Sequence, residues 1–257
     1  MRGMSGLRII EGMRDLSERR WARIALLAVA VCGPVYGQDK PGSEKDPHYT
    51  TAGFFDIHVC NWPDRPPFYL SLFSTTRYAE VRQVEVHYPD GHVLTRIDLD
   101  RYRTLHPKGK PEKHVFMKKM AIPPGAPDGW YVADITLSNG DRLSARDYVH
   151  IALLPRPHGM QPPDGSEDIA MPRALTWNRV EGAGYYEVFI RDLWDDNRLI
   201  YTSKLLNEPR LELPAGLIRP GGLYSWLVHA RDIDRDIRLG DFNRGSMSRP
   251  VTFSVRQ

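Results

Sequence analysis

The stretch Gly129–Ile151, GWYVADITLSNGDRLSARDYVHI, decides the fold of the first half of the chain. Every second residue from Tyr131 to Leu137 is apolar, and the segment after the turn alternates in the same way. Successive side chains of a β-strand point to opposite faces, so this pattern predicts strands with one buried face. Asn139-Gly140 between the two runs favours a tight turn, since both central residues of a type I′ turn need positive φ. The stretch therefore predicts an antiparallel β-hairpin.

The same alternation extends over most of residues 49–151. Further alternating segments are YLSLFS (69–74), VRQVEVHY (81–88), HVLTRIDL (92–99) and HVFMKKMAI (114–122). No segment in this region keeps the 3.6-residue apolar period of an amphipathic helix. We therefore expect an antiparallel β-sandwich over residues 48–152, with a general immunoglobulin-like character. The proline-rich segment 153–168 is expected to link it to a second domain, because proline stiffens an extended chain.

The second domain, residues 169–257, resembles fibronectin type III modules. The residues that carry the resemblance are Trp177, the strand Tyr186 to Val188, Leu217, the turn Pro220-Gly221 and Tyr224. The resemblance implies that Tyr224 makes the tyrosine-corner hydrogen bond to nearby backbone. The fold class is thus expected to be all-β, with two antiparallel sandwiches in tandem, immunoglobulin-like followed by fibronectin type III-like.

Residues 1–37 have the pattern of an export signal. Arg19, Arg20 and Arg23 precede the apolar run 24–31, and small residues follow as far as Gly37. The apolar run is too short to span a bilayer, so the pattern predicts a cleaved signal peptide and a periplasmic or secreted protein without an integral span. Lipidation of Cys32 is disfavoured, because a bulky valine precedes it.

The charge of the chain argues against a nucleic-acid partner. The formal net charge is +3, from 35 basic and 32 acidic residues. Removal of residues 1–37 would take away six basic and three acidic residues and leave 29 of each. A neutral chain has no overall electrostatic attraction to phosphate, so binding of nucleic acid is not expected.

The stretch FDIHVCNW (55–62) offers a candidate metal site. On a strand, Asp56, His58 and Cys60 would share one face, and a thiolate with an imidazole can bind copper or zinc. Two other interpretations stay open, namely the polar face of a half-buried strand and an interdomain face that buries Cys60.

Loops and exposed aromatic side chains supply the candidate contacts to a partner. Trp62, in the loop 61–68, and Trp194 could present stacking platforms. A charged loop, expected within residues 232–244, would add Asp234, Arg235, Asp236 and Arg238. This loop resembles the start of a calcium loop, but it lacks the required glycine, and its arginines supply internal counter-charge.

Sequence motifs of catalysis do not stand out. We find neither Gly-x-Ser-x-Gly nor a glycine-rich phosphate loop, and no cofactor is predicted. The sequence favours an exported, non-enzymatic binding or scaffold protein of the bacterial envelope or extracellular space, with a protein or a glycan as its partner. A periplasmic metal-binding accessory protein that uses Cys60 and His58 is the alternative.

Overall fold

The structure of the protein, a computed structural model, describes residues 46–232 and 242–257. The predicted signal peptide, with Cys32, lies outside these ranges. The same is true of four predicted partner contacts, Asp234, Arg235, Asp236 and Arg238.

The described residues form seventeen β-strands and no helix. The first half contains β1 (Tyr49–Thr50), β2 (Gly53–Asn61), β3 (Phe68–Thr75), β4 (Val81–His87), β5 (Val93–Arg96), β6 (Tyr102–Leu105), β7 (Lys113–Ala121), β8 (Gly129–Leu137) and β9 (Arg142–Val149). The second half contains β10 (Ser166–Ile169), β11 (Ala174–Thr176), β12 (Tyr185–Asp192), β13 (Arg198–Thr202), β14 (Arg210–Glu212), β15 (Leu223–Arg231), β16 (Arg244–Met247) and β17 (Val251–Val255). The predicted all-β class is confirmed. Within the described ranges, no helix has the length and apolarity needed to cross a membrane.

The first half is a sandwich of two layers around one apolar core. One layer has the strand order β5-β4-β8-β9, and the other contains β2, β3, β7 and β6 in that order. Phe55 and Phe116 from one layer and Tyr131 from the other lie buried between them. The hydroxyl of Tyr131 lies 2.8 Å from that of Tyr69, so these two buried polar groups hydrogen-bond each other across the core.

The hairpin predicted from the opening stretch is formed by β8 and β9, which pair antiparallel along almost their whole length. Its turn differs in detail from the predicted type I′ geometry. Gly140 has a positive φ of 91°, whereas Asn139 does not. The N–H of Gly140 donates to the carbonyl of Leu137 at 3.0 Å, and the N–H of Leu137 donates to the carbonyl of Asp141 at 2.9 Å. This is a type I turn followed by a glycine bulge, which also closes a hairpin with the correct twist.

The second half is a sandwich with its own core. The pair β11–β14 packs against the layer that contains β12, β15 and β17. Trp177, Tyr186 and Trp226 are buried in this core, with the rings of Trp177 and Tyr186 edge-to-face at a centroid distance of 5.3 Å. Aromatic pairs in this arrangement stabilise a core beyond the apolar area that they bury.

The tyrosine corner implied by the resemblance is present. The backbone N–H of Arg219 donates to the hydroxyl of Tyr224 at 2.9 Å. Gly222 makes room for this tyrosine, because a Cβ at that position would lie 2.5 Å from Cε2 of the Tyr224 ring. The second half is therefore a fibronectin type III-like sandwich in its strands, its core and its corner.

A parallel strand pair joins the two sandwiches into one sheet. β16 of the second half pairs with β2 of the first, with Cys60 opposite Gly245 and Asn61 opposite Ser246. The N–H of Val59 adds a hydrogen bond to the carbonyl of Asn243 at 2.8 Å. We call this strand pair the joint. It makes the two sandwiches continuous through backbone hydrogen bonds.

The segment expected to be a linker contacts the joint. The hydroxyl of Ser246 donates to the carbonyl of Pro155 at 2.6 Å, and the side-chain amide of Asn61 donates to the carbonyl of Leu154 at 3.0 Å. The guanidinium of Arg156 donates to the side-chain oxygen of Asn61 at 2.9 Å. Leu154 is itself buried in the second core. Residues 154–156 are therefore fixed to both strands of the joint.

Candidate functional site

One face of β2 carries Asp56, His58 and Cys60, as the alternation of side chains along a strand predicts. That face is buried. All three residues are at most 3% exposed. The imidazole of His58 hydrogen-bonds to the carboxylate of Asp56, and its ring centroid lies 4.0 Å from that of Phe242, a residue of the second half. The polar side of β2 therefore faces the second half of the chain, which is the interdomain interpretation left open above.

This burial disfavours the metal hypothesis. Among residues 46–232 and 242–257, no group of three or more His, Cys, Asp or Glu side chains could hold a metal ion. Burial raises the pKa of the Cys60 thiol to about 12. Without a bound metal, the surroundings of Cys60 keep the proton on sulfur at neutral pH, so a metal ion would have to displace it. The structure therefore gives no support to a site built on Asp56, His58 and Cys60.

The buried thiol gives a testable prediction. In the full chain with Cys32→Ser, we expect Cys60 to react with a thiol reagent such as 5,5′-dithiobis(2-nitrobenzoate) at least about 100-fold more slowly in buffer than in denaturant, because a buried neutral thiol is a poor nucleophile. Absorbance of the released thionitrobenzoate measures the rate. Equal rates under the two conditions would contradict the closed joint.

A buried polar cluster lies next to the joint. Arg231 donates from Nε to Nδ1 of His229 at 3.2 Å, which places the proton of the neutral imidazole on Nε2, and it forms an ion pair with Glu187. Burial, with the nearby Arg231 charge, holds the pKa of His229 well below its usual value. Burial raises the pKa of Glu187 to about 7 against the opposing attraction of Arg231. These side chains interact with one another inside the protein, and we assign them to packing.

Trp62 does not form the exposed platform that the sequence suggested. Its side chain is 6% exposed, and its ring packs edge-to-face on Phe68 at 5.0 Å. The ammonium of Lys119 lies 5.2 Å from the centroid of the Trp62 ring, so the indole also makes a cation–π contact. Trp62 follows directly on the end of β2 and packs onto the start of β3, which leaves its faces unavailable for a partner.

Trp194 has the exposure predicted for a platform. Its side chain is 73% exposed, the highest value among the large apolar side chains of the described residues. It lies in the turn between β12 and β13. Asp192 accepts hydrogen bonds on Oδ1 from the backbone N–H of Trp194 at 2.9 Å and of Asp195 at 3.3 Å. Such an Asx turn fixes the backbone that carries the indole.

The end of the same turn is equally well defined. Asp196 and Asn197 have φ angles of 48° and 54°, and the N–H of Arg198 donates to the carbonyl of Asp195 at 2.9 Å. Two consecutive positive φ values define a type I′ turn, whose twist matches that of the flanking strands. The backbone that presents Trp194 is therefore preorganised.

Trp194 lines an open groove of about 460 Å³, which we call the Trp194 groove. Its other lining residues come from the turn, from β13 and from the segment before and at the start of β15. They are Asp192, Asp195, Arg198, Ile200, Gly216, Leu217, Arg219 and Tyr224. The half-buried Ile200 and Leu217 give the groove apolar surface, and charged side chains give it polar surface. The groove is thus an open, mainly polar concavity with one exposed aromatic ring in its lining.

Sequence reasoning identified Trp194 but missed the other residues of the groove. Arg219 and Leu217 are distant from Trp194 in sequence, and the tyrosine corner brings their segment to the hairpin tip. A signal did exist, because Leu217 and Tyr224 belong to the type III resemblance and Arg219 lies between them. The resemblance predicted a corner, and only the folded chain shows that the corner forms one wall of a groove.

The fold defines a β-sandwich protein, and the Trp194 groove is its candidate binding site. No protein-family model and no curated protein matches the chain.

Among solved structures, the chain is similar to domains A168–A170 of titin, at 14% identity and a TM-score of 0.27, over 77% of this chain and 62% of that one. It is similar to the FN1–FN3 domains of chicken CNTN1, at 12% identity and a TM-score of 0.30, over 79% and 65% of the two chains. It is also similar to a Bacteroides ovatus glucan-utilisation protein, SGBP-B, in complex with a mixed-linkage heptasaccharide, at 11% identity and a TM-score of 0.23. This match covers 76% of this chain and 42% of that one. The match spans less than two thirds of each of these structures. Similarities this distant do not identify a ligand.

Proposed function

We propose that the protein is an exported, non-enzymatic binding protein that recognises a glycan through the Trp194 groove. The observation that carries the proposal is the 73% exposed indole on a preorganised turn at the rim of a polar groove. A pyranose ring has an apolar face of C–H groups and a rim of hydroxyl groups. The first can stack on the negative face of an indole, and the second can hydrogen-bond to the charged side chains beside it.

The distribution of exposed apolar side chains favours a small ring over a protein surface. Protein interfaces of standard size bury roughly 800 Å² per partner around several clustered aromatic or aliphatic anchors. Trp194 is the exposed large apolar side chain of the groove, whereas Ile200 and Leu217 in its lining are half-buried. One platform with polar neighbours fits a sugar better than it fits such an interface.

The state of the groove's carboxylates supports binding rather than hydrolysis. Asp192 accepts two backbone hydrogen bonds, and Asp195 forms an ion pair with Arg198. Hydrolysis of a glycosidic bond generally uses two carboxyl groups that flank the bond, one of them with a raised pKa. Here each carboxyl group already has a structural partner within the protein. The export part of the proposal is supported by the pattern of residues 1–37.

A glycan array with the full chain tests the proposal. We expect binding to at least one oligosaccharide, and at least about a 10-fold loss of affinity in Trp194→Ala, because the stacking surface is removed. Trp194→Phe should retain part of the binding. Tyr102→Ala is the matched control, since Tyr102 is 52% exposed on edge strand β6 of the other sandwich.

Two results would contradict the proposal. One is the absence of binding to any glycan, and the other is equal binding by Trp194→Ala and the wild type. A protein captured in a Trp194-dependent manner without any glycan binding would overturn the glycan assignment and leave the groove as a protein contact.

A further inference from the structure

The charged residues of the Trp194 groove differ in whether they already have partners. Two acids and two bases line it. Asp192 is engaged by the backbone N–H groups of the turn, and Asp195 and Arg198 form an ion pair with each other. Among the described residues, the guanidinium of Arg219 has neither a hydrogen bond nor an ion pair with a carboxylate. It is thus the one groove charge left without a partner in this part of the chain.

Arg219 is held in place by its backbone rather than by its side chain. Its N–H donates to the Tyr224 hydroxyl at 2.9 Å, and Tyr224 is itself buried. The corner therefore fixes the Cα of Arg219 at the wall of the groove, while the side chain remains exposed. A positive charge with five N–H donors thus lines the same groove as the exposed indole of Trp194.

We propose that the Trp194 groove selects acidic sugars, and that Arg219 binds the carboxylate of a uronate ring while Trp194 stacks on its C–H face. This inference rests on the proposed glycan-binding function and adds the class of sugar. A planar guanidinium can form two parallel hydrogen bonds with a carboxylate, a geometry that a neutral sugar does not offer. A uronate carries its carboxylate at the edge of the ring, so one sugar unit presents both the apolar face and the anionic group.

The pairing of Asp195 with Arg198 strengthens this selection. If Asp195 were without a partner, it would repel an incoming carboxylate. Its ion pair with Arg198 on the turn reduces that repulsion. Both side chains are more than a third exposed, so their own pairing is weak, and Arg198→Gln is expected to change binding less than Arg219→Gln.

A glycan array tests the inference with the full chain. The array carries oligosaccharides built from galacturonate, glucuronate and mannuronate, and each is printed beside its carboxyl-reduced counterpart. We expect the wild type to bind at least one acidic form about 10-fold more tightly than its reduced counterpart. Arg219→Gln should remove this preference, because it should weaken binding to the acidic form far more than binding to the reduced form. Arg219→Gln keeps the backbone N–H that forms the corner, so its thermal stability should match that of the wild type. Raising the salt concentration should weaken the acidic interaction only.

The outcomes separate the two proposals. Trp194-dependent binding that is equal for acidic and reduced forms would overturn the acidic-sugar inference and keep the proposed function. Acidic binding that survives Arg219→Gln would overturn the role of Arg219. Absence of binding to both sets and to neutral glycans would overturn both proposals.

Discussion

Gly245→Val is expected to destabilise the protein by about 3 kcal/mol, the upper end of the usual range for overpacking. A Cβ at position 245 would lie 2.6 Å from Nε2 of His229 and 2.7 Å from Cε2 of Phe242. Both neighbours are buried, and Gly245 pairs directly with Cys60 in the joint. The added side chain must therefore displace the imidazole of His229 and the ring of Phe242, and Phe242 packs on His58 of β2 in the joint. A loss of this size should lower Tm by roughly 6–12 °C in a protein of this length.

The reactivity of Cys60 provides a second readout of the same variant. Because Cys60 lies opposite Gly245, opening of the joint should expose the thiol, and its reaction in native buffer should accelerate by at least about 10-fold. Ser144→Val is the control, because it places the same side chain on the exposed face of β9. If both variants melt within about 1 °C of each other and Cys60 stays protected in both, the joint does not hold the two sandwiches together.

The wild type is expected to lose stability between pH 7 and pH 10, and His48→Gln is expected to lose much less over the same range. The variant already lacks the stabilising interaction that the wild type loses as the pH rises. His48 is buried, with Nδ1 2.8 Å from the carboxylate of Asp46 and Nε2 3.0 Å from that of Asp147. Burial lowers its pKa, but the hydrogen bonds to Asp147 and Asp46, with the charges of Asp147 and Asp56, outweigh this and raise the pKa to about 10. Asp147 is also bonded on its other oxygen to the N–H of Ile57 at 2.8 Å, so His48 anchors the segment before β1 to β2 and β9.

The sign of the pH dependence follows from this raised pKa. The unfolded imidazole titrates near 6.5, so the stabilisation is complete below that pH and declines as the pH rises toward 10. Removal of one partner of a buried ion pair typically costs about 3–5 kcal/mol, which sets the scale of the loss. Urea unfolding of wild type and variant at several pH values measures it.

The control for this pH series is His92→Gln, since His92 pairs with Asp90 on the surface. It should leave the pH profile of the wild type unchanged. The cysteine and other groups that titrate in this range are common to all three proteins and cancel in the comparison. Parallel pH profiles for the wild type and His48→Gln would contradict the assignment of His48.

The parts of the fold that could be predicted are those with a local cause. The hairpin of β8 and β9 follows from alternation and a turn signal within 23 residues, 129–151. The tyrosine corner follows from a short motif around Tyr224. The joint has no such signal, because it pairs β2 with β16 across most of the chain. A polar strand face that packs on another sandwich has the same sequence pattern as one that faces water, which is why Asp56, His58 and Cys60 were open to three interpretations.

The two tryptophans predicted to contact a partner show the same limit of prediction from sequence. Trp194 lies among acidic residues in a tight turn, where an apolar ring has little structure to pack on. Trp62 also lies beside a loop, yet the return of the chain at Phe68 covers it. Whether an aromatic ring next to a turn is exposed depends on where the following strand packs. That information is tertiary, as is the position of Arg219 at the wall of the groove.

The central claim, that the Trp194 groove binds a glycan, is tested most directly by an NMR titration. The full chain is labelled with ¹⁵N and titrated with the oligosaccharide that binds best on the arrays. The account predicts that the indole N–H signal of Trp194 shifts most, together with backbone amides of residues 193–198 and 216–219, while the signals of the first sandwich stay in place. Shifts concentrated in residues 46–152, or no shift with any oligosaccharide, would contradict it.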